Sequence, residues 1–343
     1  MQKGDRAVLH VLPHAGGGGD TYVDVLGEMS GYRFERLYVA PKRKPGVAQI
    51  AFSLPDLRPL LRGYDLLHVH GEAVAGMLLP LLALRRSVVT LHGLHLLRRV
   101  SGVRRAAAAF NLRAVLGAAS RTICVSNAEQ RQIASVIRPA AMRRTVVVHN
   151  GARVPTETTF AERSRVRQEL GLDPSEPVAI WVGSLDERRD PLAVVRAAER
   201  TSTTILFVGD GPLRSSVERA ASDRIRVLGQ RSDVPRLLAA ADFFVLMSER
   251  EGLSFALLEA MAHGLPAVVA DIPENLEAVG DSGIAVPYGD EEAVAAALQR
   301  LAADRLERTT LGARARQRVT SLFAADEMIA RTRAVYDDVV ASV

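Results

Sequence analysis

A single cysteine, Cys124, is present in the chain, so no intramolecular disulfide can form and nothing calls for an oxidising compartment. Its neighbours in RTICVS are apolar, and a thiol there is expected as a buried core side chain rather than a nucleophile. Aromatic residues are 5% of the sequence, too few for a base-stacking platform, and no zinc-ligand spacing occurs, which disfavours nucleic-acid binding. The N-terminal MQKGDRAVLHVLPHAGGGG has only a short apolar stretch, broken by His10, Pro13 and His14; it fits neither a signal peptide nor a membrane span. A cytoplasmic protein is expected. Internal repeats, low-complexity tracts and Asp-x-Asp sequences are also missing.

What the chain does have is enough apolar material for more than one core. Its 343 residues are 48% hydrophobic and 24% charged, a length and balance suited to two soluble domains. Charge divides unevenly. Residues 1–155 carry 22 Lys and Arg against 9 Asp and Glu, while the remainder carries 22 against 30. A basic half suits an anionic substrate or an anionic membrane surface. The densest basic run, Leu94 to Arg121, mixes arginines with Leu, Val, Ala and Phe at helical spacing. Either a membrane-surface helix or a solvated basic face over a packed apolar one accounts for it, and the absence of Trp or Tyr favours the second.

Short β-branched or apolar runs alternate with helical segments along the chain. In the first half they are AVLHVLP, FERLYVA, DLLHVHG, SVVTLHG, RTICVS and TVVVHNG; in the second, PVAIWVGSL, TTILFVGDG, RIRVLGQ, DFFVLMS, PAVVAD and GIAVPYG. Such alternation predicts parallel sheets covered by helices on both faces. Two sets predict two such α/β domains, 1–155 and 156–323, meeting near NGARVPTETTFAER. The segment from Leu301 onward reads as helical, and residues 324–343 are expected to pack back toward the first domain.

Open parallel sheets bind ligands where strands turn into helices. HAGGGGDTY follows the first strand, and its glycines permit close backbone approach by an anion; a loop without a ligand accounts for them equally. It is not the dinucleotide fingerprint, because Thr21 stands where the third glycine is required. VGSLDERRDP sets Arg188 and Arg189 beyond the Gly183-Ser184 turn, and VGDGPLR makes another tight turn at Gly209 and Gly211.

The most informative stretch is EGLSFALLEAMAHGLPAVVAD, residues 251–271. Gly264 followed by Leu-Pro marks a helix end, Leu257, Leu258, Met261 and Ala262 form a buried face, and Ser254 is suited to the N-cap. Glu251 then precedes the helix and Glu259 lies inside it. A helix N-terminus is an anion site, whereas carboxylates accept hydrogen bonds from hydroxyls. A diphosphate flanked by a sugar and a ribose has that layout, with Arg189 as counter-charge.

The stretch resembles the signature of the retaining glycosyltransferases of family 4, the group 1 glycosyltransferases. Also similar are the glycine-rich first loop, VVTLHG, CVSNAE, VVVHNGARV, VGSLDERRDPL, FVGDGPLR, RVLGQRSDVPRLLAAADFFVLMS and GIAVPYGDEEAVAAAL; only the ordered set is specific. The resemblance implies the GT-B fold, two facing Rossmann-like domains. It implies metal-independent transfer of a sugar from a nucleoside-diphosphate sugar to an acceptor hydroxyl, with retention and with no cofactor besides the donor substrate. By the same resemblance Glu251 contacts the donor sugar, Glu259 the ribose, and the amides near Ser254 and Phe255 the diphosphate. Arg231 lies by the base, Gly16 and Gly17 approach the phosphate, and His92 lines the cleft. Gly183, Ser184, Arg188 and Gly211 complete the expected donor-binding set, with His92, Glu251 and Arg189 catalytic.

The chain departs from the family at Ser184, where an arginine is usual, and at Arg189, where a lysine is usual; the latter keeps the charge but changes its geometry. The acceptor is expected to be anionic or membrane-associated. A nucleotide-sugar epimerase of the same fold and a non-catalytic nucleotide-sugar-binding protein are the alternatives. An epimerase would need paired acid and base groups.

Overall fold

The computed structural model describes residues 5–40, 63–156 and 158–342. All twelve apolar runs are strands. In the first half they are β1 (Arg6–His14), β2 (Tyr32–Ala40), β3 (Leu66–His70), β4 (Ser87–Thr90), β5 (Arg121–Cys124) and β6 (Thr145–Val147). The second half supplies β7 (Val178–Val182), β8 (Thr204–Val208), β9 (Ile225–Gly229), β10 (Phe243–Leu246), β11 (Ala267–Ala270) and β12 (Gly283–Val286). They form two six-stranded sheets, ordered β2-β1-β3-β4-β5-β6 and β12-β11-β10-β7-β8-β9, and every pairing is parallel. Strands such as β3, β4, β8, β10 and β11 are buried along their whole length. Helices therefore cover both faces, which is why these strands read as continuous apolar runs instead of alternating.

Two compact units result, Met1–Gly151 with Ala325–Val343, and Ala152–Ala324. The division falls at Gly151, a few residues ahead of the Pro155 boundary expected from composition. Ala152 donates its N–H to the Phe323 carbonyl and forms an isolated parallel bridge with Ala324, so it already belongs to the second unit. The stretch from Leu301 is three helices, Glu291–Ala303, Arg305–Leu322 and Ala325–Ala341. Asp304 separates the first two and caps the second by accepting from the Glu307 N–H.

The last of these helices is counted with the first unit for chemical reasons. Asp337 accepts from Arg6 Nη1 (2.8 Å) and from the Tyr32 hydroxyl (2.7 Å), Asp338 pairs with Arg121 at 2.6 Å, and the buried Tyr336 hydroxyl meets His68 Nδ1 at 2.6 Å. The core of this unit gathers Leu9, Val69, Val89, Leu112 and Val115. The second is built around Trp181, Phe207 and Phe243. Cys124 is fully buried, and burial pushes its thiol pKa up.

In the basic run, the helix Gly102–Ala118 buries Ala108, Leu112, Val115 and Leu116 and exposes its arginines. A solvated basic face over a packed apolar one describes most of it. Val103 and Phe110, at 87% and 70% exposed, are the exceptions.

Candidate active site

The order in which strands are added reverses once in each sheet, between β1 and β3 in the first and between β7 and β10 in the second. Such switch points open a crevice beyond the strand ends; the candidates after β1, β7 and β10 lie there, whereas His92, Gly211 and Arg231 follow β4, β8 and β9, one or two strands away.

In the second unit, the turn after β7 carries Arg188 and Arg189 in a short 3-10 segment, Glu187–Arg189. Ahead of it Asp186 accepts from the Arg189 N–H. Asp190, at φ 40°, then caps the next helix by accepting from Ala193. The loop after β10 carries Glu251, nearly buried at 5% exposed. Its Oε1 accepts from the Ser248 hydroxyl at 2.8 Å and lies 3.3 Å from Arg189 Nη2, and its Oε2 lies 3.6 Å from Arg188 Nη1. Arg188 also donates to the Arg250 carbonyl, and the Glu249 N–H to the Arg188 carbonyl. One buried carboxylate thus gathers both arginines, an arrangement that sequence spacing of more than sixty residues did not reveal.

The glycines of these turns are required by packing. A Cβ on Gly183 would stand 2.0 Å from Arg189 Nη1, and one on Gly209 would stand 1.8 Å from the Gly183 carbonyl oxygen. The Arg189 guanidinium occupies the space a side chain would take at Gly183, and the two turns touch backbone to backbone. A Cβ on Gly211 would likewise meet the Leu185 carbonyl at 2.4 Å. Ser184, in the turn after β7, is 9% exposed.

The signature helix runs Phe255–Ala262, capped by Ser254, whose hydroxyl accepts from the Leu257 N–H. Leu257, Leu258, Met261 and Ala262 are fully buried, and Gly264, at φ 76°, ends the helix. First-turn N–H groups have no intrahelical acceptor, which leaves those at Phe255 and Ala256 available beside Glu251. Glu259, one turn in, is partly buried, and desolvation raises its carboxyl pKa to about 7. Arg231 is committed to a bidentate pair with Asp233, both contacts at 2.7 Å.

In the first unit, Gly16 and Gly17 have positive φ of 77° and 104° and lead into the helix Gly18–Leu26. The Gly16 N–H, expected to be open to an anion, donates to Asp20. Asp20 in turn accepts from the Tyr38 hydroxyl at 2.7 Å. His92 follows β4 at φ 60°, with Gly93 and Leu94 also at positive φ. Two buried carboxylates hold this strained corner: Glu129 accepts from the Gly93 and Val125 N–H groups, and Glu72 from those of Leu96 and Leu97. Burial raises the Glu72 pKa to about 7.

His92 Nε2 lies 2.8 Å from His70 Nδ1, and His70 Nε2 lies 2.9 Å from His10 Nδ1. His68, stacked on His70 with centroids 4.4 Å apart, bonds Tyr336 and Thr90. Desolvation, the leading cause in each, holds all four pKa values below the ordinary range, His92 at about 4. Sequence reasoning singled out only His92. The signal for the rest was period two in HVH, which puts His68 and His70 on one face of β3, with His10 in register opposite His68. Among the described residues, His10, His68 and His70 are the one group of three metal-type ligands within reach of one another. Five of their six ring nitrogens are already engaged within the protein, which does not suit a metal.

Solved structures identify the architecture. The chain superposes on sucrose-phosphate synthase from Thermosynechococcus elongatus with a TM-score of 0.82 and 22% identity, over 98% of this chain and 100% of that one. Anabaena HepE in complex with UDP gives 0.77 and 20% identity, over 97% and 100%. The fold is GT-B.

Two family models match, Glycosyltransferase Family 4 over residues 9–154 and Glycosyl transferases group 1 over 176–304. The chain belongs to the group 1 glycosyltransferases of family 4. N-acetyl-alpha-D-glucosaminyl L-malate synthase from Bacillus anthracis is 32% identical over 52% of this chain and 50% of its own. Alpha-maltose-1-phosphate synthase from Mycobacterium tuberculosis is 29% identical over 80% and 78%. The first relatives are matched over about half their length.

Proposed function

We propose that the protein transfers a sugar from a nucleoside-diphosphate sugar to an acceptor hydroxyl, retaining the anomeric configuration and using no metal. The observation that carries this reading is the convergence of Arg188, Arg189, Glu251 and the Ser254-capped helix N-terminus at the switch point of the second sheet. In the reaction the bond from the anomeric carbon to the diphosphate oxygen breaks, and its electron pair stays on the phosphate. The acceptor oxygen bonds to the same face of that carbon, and its proton passes to the leaving phosphate. Charge on the diphosphate grows as the bond breaks. Fixed positive groups aimed at it lower the barrier: here Arg189, the free helix amides, and Arg188 in the place of the family arginine that Ser184 lacks.

Glu251, which holds both arginines, exchanges that role for hydrogen bonds from donor-sugar hydroxyls, and Glu259 accepts from the ribose. A uridine donor is supported by Anabaena HepE, solved with UDP and with UDP-glucose. Thermal unfolding with UDP, GDP, ADP and dTDP in turn tests the reading, because a ligand at a hundred times its dissociation constant adds about 2.7 kcal/mol. The expected outcome is a shift with UDP that Glu259→Ala abolishes; the absence of a shift with any nucleotide would sink the proposal.

For the acceptor we propose an anionic group presented at a membrane surface. Val103 and Phe110 stand exposed beside Arg104 and Arg105 on the helix Gly102–Ala118, a composition suited to an anionic interface. No helix among the described residues is long and apolar enough to cross a membrane. Flotation is expected with anionic vesicles and not with neutral ones, and absence from both would refute membrane docking.

A further inference from the structure

The three linked histidines of the first unit have a property that none has alone. A neutral imidazole carries one N–H, so one ring nitrogen donates and the other accepts. His70 uses both nitrogens on other histidines, Nε2 on His10 Nδ1 and Nδ1 on His92 Nε2. If His70 carries its proton on Nδ1, it donates to His92 Nε2, which must be bare, and accepts from His10 Nδ1, which must be protonated. If the proton is on Nε2, every bond reverses. All three rings therefore hold Nδ1–H together or Nε2–H together.

His68 is not bound by this rule. Its partners are the hydroxyls of Tyr336 and Thr90, which rotate to donate or accept.

Both inter-ring bonds are made in either state, so the choice between the two is decided at the ends of the row. At the buried end, His10 Nε2 has no partner, so it is either a buried orphan N–H or a bare lone pair. Arg36 stands opposite His10 in register on β2, on the side away from His70 on β3; its guanidinium also pairs with Asp20 and Asp24, yet after desolvation and His70 it is Arg36, and neither aspartate, whose field disfavours a cationic His10. A neighbouring positive charge favours a lone pair over an N–H dipole. Tyr22, edge-on to His70 and His92, gives neither a hydrogen bond that would oppose this choice.

We propose that His10, His70 and His92 form one tautomeric unit set to Nδ1–H by its buried end. The ring nitrogen at the far end of the row, His92 Nδ1, is then a fixed hydrogen-bond donor and not a base. His10 and His70 are positioning residues for His92. The use of that donor on a substrate oxygen rests on the glycosyltransferase reading; the tautomeric lock does not.

The test needs no ligand, so its failure is separate from failure of that reading. Two-bond nitrogen–proton spectra of the full chain labelled with 15N-histidine report which nitrogen of each ring is bare. The expected result at pH 7 is a bare Nε2 and a protonated Nδ1 in His10, His70 and His92 alike. Any one of the three with a bare Nδ1 overturns the proposal. His10→Asn keeps a group able to donate or accept toward His70 while removing the orphan nitrogen. It is expected to turn the single His92 signature into a mixture, although His10 does not touch His92; an unchanged His92 refutes the coupling. Should that variant fail to fold, Arg36→Met, altered at the partly exposed strand β2, is expected to move all three histidines toward Nε2–H together, and movement of one alone is the contrary result.

Discussion

Glu259 shows what position does to one carboxyl group. Burial in the signature helix raises its pKa to about 7, so at neutral pH it is poised between an acceptor and a neutral acid. A ribose hydroxyl pair is held better by the carboxylate than by the acid. UDP affinity is therefore expected to rise as pH increases from 6 to 8, level off above that, and lose this component in Glu259→Gln; titration calorimetry at several pH values would show it. The sequence placed Glu251 and Glu259 on either side of a capped helix start, because cap, buried face and terminating glycine have local signatures. It did not show that Glu251 holds two arginines, since that contact joins the turns of two different strands.

At the scale of elements, the inner strands such as β3, β4, β8, β10 and β11 announced themselves as continuous apolar runs because both of their faces are buried, and Ser254 marked the start of the signature helix; the caps at Thr159, Asp290 and Asp304 emerge only in the structure. A buried cation joining elements left no such mark. Arg167, 3% exposed on the helix Phe160–Glu169, donates to the carbonyls of Ala240, Asp173, Pro174 and Glu176 and to Asp242 at 2.5 Å. Removing one member of such a network strands the others. Arg167→Met is expected to destabilise the second unit by about 3 kcal/mol. Trp181, the only tryptophan and fully buried in that unit, reports the change as a lower urea midpoint, and a midpoint equal to that of the unaltered protein would contradict it.

Considered whole, the molecule has two units with different responses to acid. His10, His68, His70 and His92 all have depressed pKa values. The unfolded chain thus takes up protons that the folded first unit refuses once pH falls below about 6.5. Their stabilisation is complete above that pH and is lost as it falls toward their folded values, about 4 for His92. Glu72, raised to about 7, works the other way and offsets one proton. About three net protons remain, roughly 4 kcal/mol per pH unit at the steepest. In the second unit the depressed His263 and the raised Glu259 oppose each other. Acidification from pH 7 to 5 is expected to lower the far-ultraviolet dichroism transition before the Trp181 fluorescence transition moves, and coincident loss would contradict this.

Taken alone, the sequence determined what depends on near neighbours: twelve strands, the parallel α/β class, the capped signature helix, and the resemblance that membership in group 1 bears out. Tertiary structure decided what depends on strand order. Placing β3 between β1 and β4 made a row of three histidines from positions 10, 70 and 92, and placing β7 beside β10 brought Arg188 and Arg189 to Glu251. Period and propensity act over a few residues, whereas hydrogen bonds between strand ends exist only once the sheet has chosen its neighbours.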